Sequence, residues 1–298
     1  MKKNFLLLMV ALMVGSLSAP AKGLPQKRMA LQLYSIRELI GSPEKYAQNH
    51  ERVFKQLAEY GFTDVEPAHY GNGKLYGIAP EQFKADCAAA GLNVLSTHAT
   101  RRLSDEEVKN HDFTEALKWW KECIDTHKAA GCKYIVTPGF GTPKTLAEGK
   151  VLCDYHNEIG KLCNAAGIKY GYHTHSHEYQ MVEGKMWIDY MMENIAPSNM
   201  FWQIDVYWCV MGQQSPVQFF KKYPGRFRLL HIKDKYELGQ SGMVNFEAIF
   251  NNAGLAGREN YVVELEGTDG TIDIMEGVRR SAAYLRGLKA VKASYPVK

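Results

Sequence analysis

The chain has 298 residues, with 36 Lys and Arg against 32 Asp and Glu, for a formal net charge of +4. That length allows one large domain or two ordinary ones. So mild a charge, with its cations scattered rather than striped, gives no electrostatic footprint for nucleic acid. Six cysteines without a Cys-x-x-Cys pair leave no thiolate zinc site. One disulfide is open to them in an oxidising compartment, but their expected role is that of small buried hydrophobes.

The first residues read as an export signal over 1–21. Lys2 and Lys3 give a basic start, residues 5–14 an apolar core, and Ala19-Pro20-Ala21 a small-x-small cleavage pattern. The apolar run is too short for a spanning helix, and no Cys follows it to carry a lipid. A periplasmic or secreted protein without stable membrane insertion is expected, with its domain over 22–298.

From there strands and helices alternate. A first strand is expected over 29–34, followed by a helix with Val53, Leu57 and Tyr60 on one face and Gly61 at its end. A second strand over 62–66 leads to a helix over 80–90, opened by Pro80 and closed at Gly91. Strand 92–97, helix 113–130, strand 133–137, helix 146–166 and strand 168–170 continue the pattern. Four junctions share one design, a helix end, one Gly and then a strand (Gly61, Gly91, Gly131, Gly167), the Gly supplying a left-handed cap. The second half adds strands 201–206, 227–232 and 261–265, with helices 216–222, 245–252 and 272–291. The period of roughly thirty to forty residues is that of a βα unit, and about eight such units in this length predict a single closed (β/α)₈ TIM barrel. An open doubly wound sheet competes less well, because no first turn carries a Gly-x-Gly-x-x-Gly phosphate loop.

In such a barrel the chemistry lies at the carboxyl ends of the strands. Those ends carry Glu66, His98, Asp205, His231 with Lys233 and Asp234, and Glu264 with Glu266. The densest stretch is Gly171-Tyr172-His173-Thr174-His175-Ser176-His177-Glu178-Tyr179. If the strand continued through it, His173, His175 and His177 would share one face. Crowded imidazoles must be neutral, paired with carboxylates or bound to metal. Asp205, His231 and Glu264 stand in apolar contexts where an unused charge would be costly to bury. Two carboxylates and one imidazole make a hard site that favours Mn²⁺, Mg²⁺ or Co²⁺ over Zn²⁺.

These motifs resemble those of the xylose isomerase-like sugar isomerase/epimerase family of TIM barrels. Gly171 to His175 with Glu178-Tyr179 is similar to the fifth-strand motif of its His-rich, exported subgroup. Gln203-Ile204-Asp205 is similar to the sixth-strand Asp, His231-Ile232-Lys233-Asp234 to the seventh-strand His-x-Lys-Asp, and Val263-Glu264 to the last-strand Glu. The resemblance covers nearly all the chain beyond the signal. It implies a divalent metal held by Asp205, His231, Glu264 and a fifth-strand residue, either Glu178, the preferred hard anion, or His173. It implies enolisation of a carbohydrate beside a metal-bound carbonyl. The proton would be taken by Glu264, His175 or Glu178, with His173 beside them, and Lys233 would steady the oxyanion. Tyr34, Glu66, His98 and His177 are expected to contact substrate. Thr174 and His177 depart from the motif, which has Asn and Phe there, and leave the substrate open. An isomerase or epimerase is the leading expectation. A lyase or hydratase acting on 3-keto-glycosides by β-elimination comes second, and a non-catalytic sugar-binding module third. A nuclease, though it shares this barrel, fits neither the charge nor the export signal. The expected partner is a small carbohydrate, with a homo-oligomer compatible.

Overall fold

The computed structural model describes residues 27–292. The expected export segment, residues 1–21, lies outside them. Parallel strands run in the order expected of a barrel: β1 Ala30–Gln32, β2 Asp64–Glu66, β3 in two segments (Asn93–Val94 and Ser96–His98), β4 Tyr134–Pro138, β5 Lys169–His173, β6 Phe201–Asp205, β7 Leu229–Lys233 and β8 Asn260–Glu264. The first segment of β3 pairs with β2 and the second with β4. Between the segments, the Leu95 N–H donates to Val65 O at 3.0 Å, and the Leu95 carbonyl accepts from Lys133 N at 3.0 Å. Leu95 thus bridges both neighbours, and the nine segments of the sheet form eight strands closed on themselves.

The helices pack outside, as their apolar faces require. Helix Pro43–Tyr60 is capped by the Ser42 side chain, which accepts from Lys45 N, and buries Tyr46, Val53, Phe54 and Leu57. Helices Pro80–Ala89, Thr114–Ala129 and Leu146–Ala165 lie within a residue or two of the expected bounds. All four junction glycines have positive φ, from 76° at Gly167 to 95° at Gly61, as the left-handed cap demands. The six cysteines are buried and none forms a disulfide. Among the described residues no helix is long and apolar enough to cross a membrane.

Two expectations shift at the site end. The first strand stops at Gln32 and the chain coils into a 3₁₀ turn, Leu33–Ile36, so Tyr34 leaves the strand and stays 39% exposed. The Gln32 side chain causes the stop by accepting from Tyr34 N. At the other, β5 extends to His173 but no further, and His177–Tyr179 is again a 3₁₀ turn. The Glu178 carboxylate takes the His175 N–H at 2.7 Å, which folds the chain away from the strand. His173, His175 and His177 therefore do not line one strand face. The unforeseen elements include a short helix, Val206–Met211, directly after β6, and a hairpin of Met181–Val182 with Lys185–Met186 beyond the 3₁₀ turn.

Inside the barrel, side chains from alternate positions form layers. The floor is a separate apolar cluster of Ala30, Leu95, Tyr134, Val136, Phe201, Leu229 and Val262. Gly171 on β5 makes room for it, since a Cβ there would lie 2.4 Å from the Phe201 ring. Two residues further along the same strands the layer turns polar: Gln32, Glu66, Gln203 and His231 are all fully buried.

Candidate metal centre at the carboxyl end of the barrel

The centre rests on Glu66. Its Oε1 accepts from Gln32 Nε2 at 2.8 Å and its Oε2 from Gln203 Nε2 at 2.9 Å, and Ser96 Oγ donates to Oε2 as well. His98 Nε2 and His231 Nε2 lie 3.1 and 3.2 Å from Oε1. Burial alone would raise the Glu66 pKa, but His98 and His231 hold it well below the usual carboxylate range. Glu66 was expected to contact substrate. Fully buried and with both oxygens engaged, it is instead the platform beneath the site.

That platform sets which nitrogen each imidazole offers. His231 directs Nε2 to Glu66, leaving Nδ1 turned to Asp205 Oδ2 and Glu264 Oε2, each at 3.5 Å. His173 directs Nδ1 to Gln203 Oε1 at 3.0 Å, leaving Nε2 turned to Asp205 Oδ2 at 3.8 Å. Asp205 is itself divided, because Oδ1 caps the following helix by accepting from Trp208 N at 2.8 Å. Its Oδ2 has no hydrogen-bond partner, nor does His231 Nδ1, although both are buried. Such atoms are costly unless something occupies the space between them. His173, Asp205, His231 and Glu264 each offer one ligand atom, all within 4.8 Å of one another. Two imidazoles fixed by hydrogen bonds at their far nitrogens, with two carboxylates, fit a divalent cation.

The electrostatics agree. Burial would lower the His231 pKa, but Glu264, Asp205 and Glu66 together raise it well above the usual imidazole value. Burial would raise that of Glu264, yet His231 and Lys233 bring it down to about 2. His173 is pushed well below its ordinary value by burial and by His231, His175 and His98. A proton and a cation would compete for His231, because a ligand imidazole must be neutral.

Glu178, the fifth-strand residue the sequence favoured as ligand, stands outside this group. Its Oε1 accepts from Tyr172 OH at 2.8 Å and its Oε2 from the His175 amide. It belongs to a neighbouring cluster with His175 and His177, and His173 occupies the place beside Asp205. Lys233 is 1% exposed, with Nζ 3.8 Å from Glu264 Oε2 and 3.2 Å from Glu266 Oε1. It also lies 5.7 and 5.8 Å from the ring centroids of Tyr207 and Trp208. The His175 ring is 4.7 Å from His173 and 6.2 Å from Trp208, and burial lowers its pKa. His98 sits 5.0 Å from the His173 ring. Asp234, by contrast, is turned into its own loop, accepting from Lys235 N and Gly239 N. Sequence reasoning gave no role to Gln32, Gln203 or Trp208. For Gln203 the signal was present: it stands two residues before Asp205, on the same strand face.

Comparison with known proteins agrees with this architecture. A family model described as xylose isomerase-like TIM barrel matches residues 54–288. The chain belongs to the xylose isomerase-like TIM barrel family. Two crystal structures of sugar phosphate isomerase/epimerase from Parabacteroides distasonis are similar to it. One has 34% identity and a TM-score of 0.82, covering 94% of this chain and 100% of its own. The other has 32% identity and a TM-score of 0.81, covering 89% and 100%. A D-psicose 3-epimerase from Clostridium cellulolyticum, at 13% identity and a TM-score of 0.67 over 88% of this chain and 98% of its own, shares the fold. No curated protein sequence matches the chain.

Proposed function

We propose that the protein enolises a sugar or keto-sugar, moving a proton on the carbon next to a carbonyl as an isomerase or epimerase does. The observation that carries this reading is the convergence of two partnerless buried ligand atoms, Asp205 Oδ2 and His231 Nδ1, with His173 and Glu264 at the barrel mouth. The names of its relatives point to the same chemistry. His173, Asp205, His231 and Glu264 would hold a divalent ion, with Mn²⁺, Mg²⁺ or Co²⁺ favoured over Zn²⁺. A bound ion supplies polarisation of the carbonyl and charge to offset the enediolate.

The remaining roles fall to this chain's own groups. Glu264, held down near 2, is a weak base, and Glu178 is turned to Tyr172 OH and the His175 amide rather than to the centre. His175 is left: burial lowers its pKa, and its ring lies 4.7 Å from that of His173 and 6.2 Å from that of Trp208. Lys233, steadied by Glu264 and Glu266, donates to the substrate oxygen that gains charge. The ring faces of Tyr207 and Trp208 beside Lys233 suit the apolar face of a sugar. Return of the proton to the other face gives an epimer, and its return to the neighbouring carbon an isomer. β-Elimination from a 3-keto-glycoside begins with the same proton removal, so product analysis separates the outcomes. A periplasmic or secreted setting, read from residues 1–21, favours unphosphorylated substrates. The test is to strip metal, restore Mn²⁺, Mg²⁺ or Co²⁺, and screen keto-sugars and 3-keto-glycosides. Turnover that appears only with metal supports the reading, and its absence on every substrate overturns it.

A further inference from the structure

The second group of ligand-bearing side chains lies beside the first, on the loop that follows β5. His175, His177 and Glu178 each offer a ligand atom, all within 4.8 Å of one another. His175 Nδ1 and His177 Nε2 are buried and have no hydrogen-bond partner. His177 Nε2 lies 2.9 Å from Glu178 Oε1, though off the line a hydrogen bond needs. The two rings are nearly parallel, at 14° with centroids 5.6 Å apart.

Gly139 lies against both rings. A Cβ at Gly139 would sit 3.2 Å from His175 Nδ1 and 3.3 Å from His177 Nε2. Gly139 (φ 67°) thus packs against both rings, and a side chain there would crowd them. Ligand bonds to a small dication are about 2.0–2.2 Å, so ligand atoms within 4.8 Å of one another need only a small closure of the loop to share one ion. Thr142 Oγ1 anchors the loop by donating to the His177 carbonyl at 2.9 Å. Each Glu178 oxygen, having accepted one hydrogen bond, keeps a second lone pair.

We infer that His175, His177 and Glu178 form a second divalent-cation site, nitrogen-rich and of the kind that takes Zn²⁺, adjoining the centre built on Asp205. Two imidazoles and one carboxylate with an open position are a zinc donor set, whereas the first centre has two carboxylates. Occupancy has a consequence for the reading of His175 as base, on which this one step rests. An imidazole that binds metal through one nitrogen keeps its proton on the other and donates rather than accepts. Zinc in the second site therefore silences turnover supported by the first.

The test is a Zn²⁺ titration of metal-stripped full-length chain, followed by calorimetry and elemental analysis. The wild type is expected to bind two equivalents. His177→Phe, which keeps a half-exposed ring and removes its nitrogens, is expected to bind one, and so is Asp205→Asn. Two equivalents retained by folded His177→Phe, or a single wild-type equivalent abolished by Asp205→Asn, overturns the second site. A single wild-type equivalent abolished by His177→Phe but not by Asp205→Asn keeps the second site and sinks the first. In the Mn²⁺-restored enzyme, one further equivalent of Zn²⁺ should cut turnover at least tenfold, and in His177→Phe the ratio of turnover without to turnover with that Zn²⁺ should fall towards one, whatever the variant's own rate. Binding of two equivalents without inhibition would leave the site standing and remove His175 as base.

Discussion

The floor and the mouth of the barrel are built from the same strands, four residues apart with the platform between them, and they do opposite things. On β6, Phe201 packs into the floor, Gln203 carries the platform and Asp205 faces the centre. On β7 the series is Leu229, His231 and Lys233. The floor gives up water for apolar contact and stabilises the fold. The mouth buries charges that no stability argument requires, and leaves two of their atoms without partners. Stability and function are thus separated by two steps of the strand period.

The sharpest way to break this division is a pair of substitutions on β6. Asp205→Asn should keep the fold and lose one equivalent of metal with essentially all activity. Phe201→Ala should cost about 3–5 kcal/mol of stability and leave the metal content of the folded fraction unchanged. Elemental analysis beside urea unfolding reads both. Equal losses of stability in the two variants would mean that the mouth also holds the barrel together.

Next in size is Lys233→Met, which keeps much of the stem and removes the charge. Turnover should fall about 10²-fold or more while folding and metal content survive. Turnover within a factor of three would leave Lys233 a structural partner of Glu266. Smaller again is Gln203→Met, which takes away the amide that orients His173 and donates to Glu66. The expected cost is about 10–100-fold in metal affinity, measured by competition with a chelator on the folded protein.

The smallest effect contrasts two kinds of buried histidine. At the centre, Glu264, Asp205 and Glu66 raise the His231 pKa against the effect of its burial. Away from the centre, burial lowers His127 to about 4 and His156 to about 3, from an ordinary value of 6.5. The unfolded chain therefore takes up protons that the folded chain refuses. Stability from these two groups is complete above about pH 6.5 and is lost as pH falls from there towards 4. Each contributes a slope of up to about 1.4 kcal/mol per pH unit. His156→Gln should flatten the slope of the urea midpoint between pH 6.5 and 5, and an unchanged slope would show that other groups set it.

Much of this was legible in the sequence because barrels repeat. The junction glycines and apolar runs located the strands, and residues that end apolar strands in acid or imidazole marked the mouth. Asp205, His231, Lys233 and Glu264 were readable that way. The fifth strand was not, because Glu178 reaches back to the His175 amide and bends the chain, a contact that alternation along a strand cannot foresee. The end of β1 was hidden likewise by the turn that Gln32 imposes. Gln32 was missed because a neutral amide announces no chemistry, and Gln203 was passed over although it shares a strand face with Asp205; what both do appears only once Glu66 lies between them.

The most direct test of enolisation is solvent exchange. Metal-restored protein is incubated with a keto-sugar in D₂O, and deuterium on the carbon next to the carbonyl is followed by NMR. Wild type should introduce deuterium at that carbon, with exchange abolished by metal removal or by Asp205→Asn. Exchange that persists unchanged in Asp205→Asn, or no exchange with any keto-sugar that the protein binds, would contradict the assignment of His173, Asp205, His231 and Glu264 as the centre that makes the adjacent proton labile.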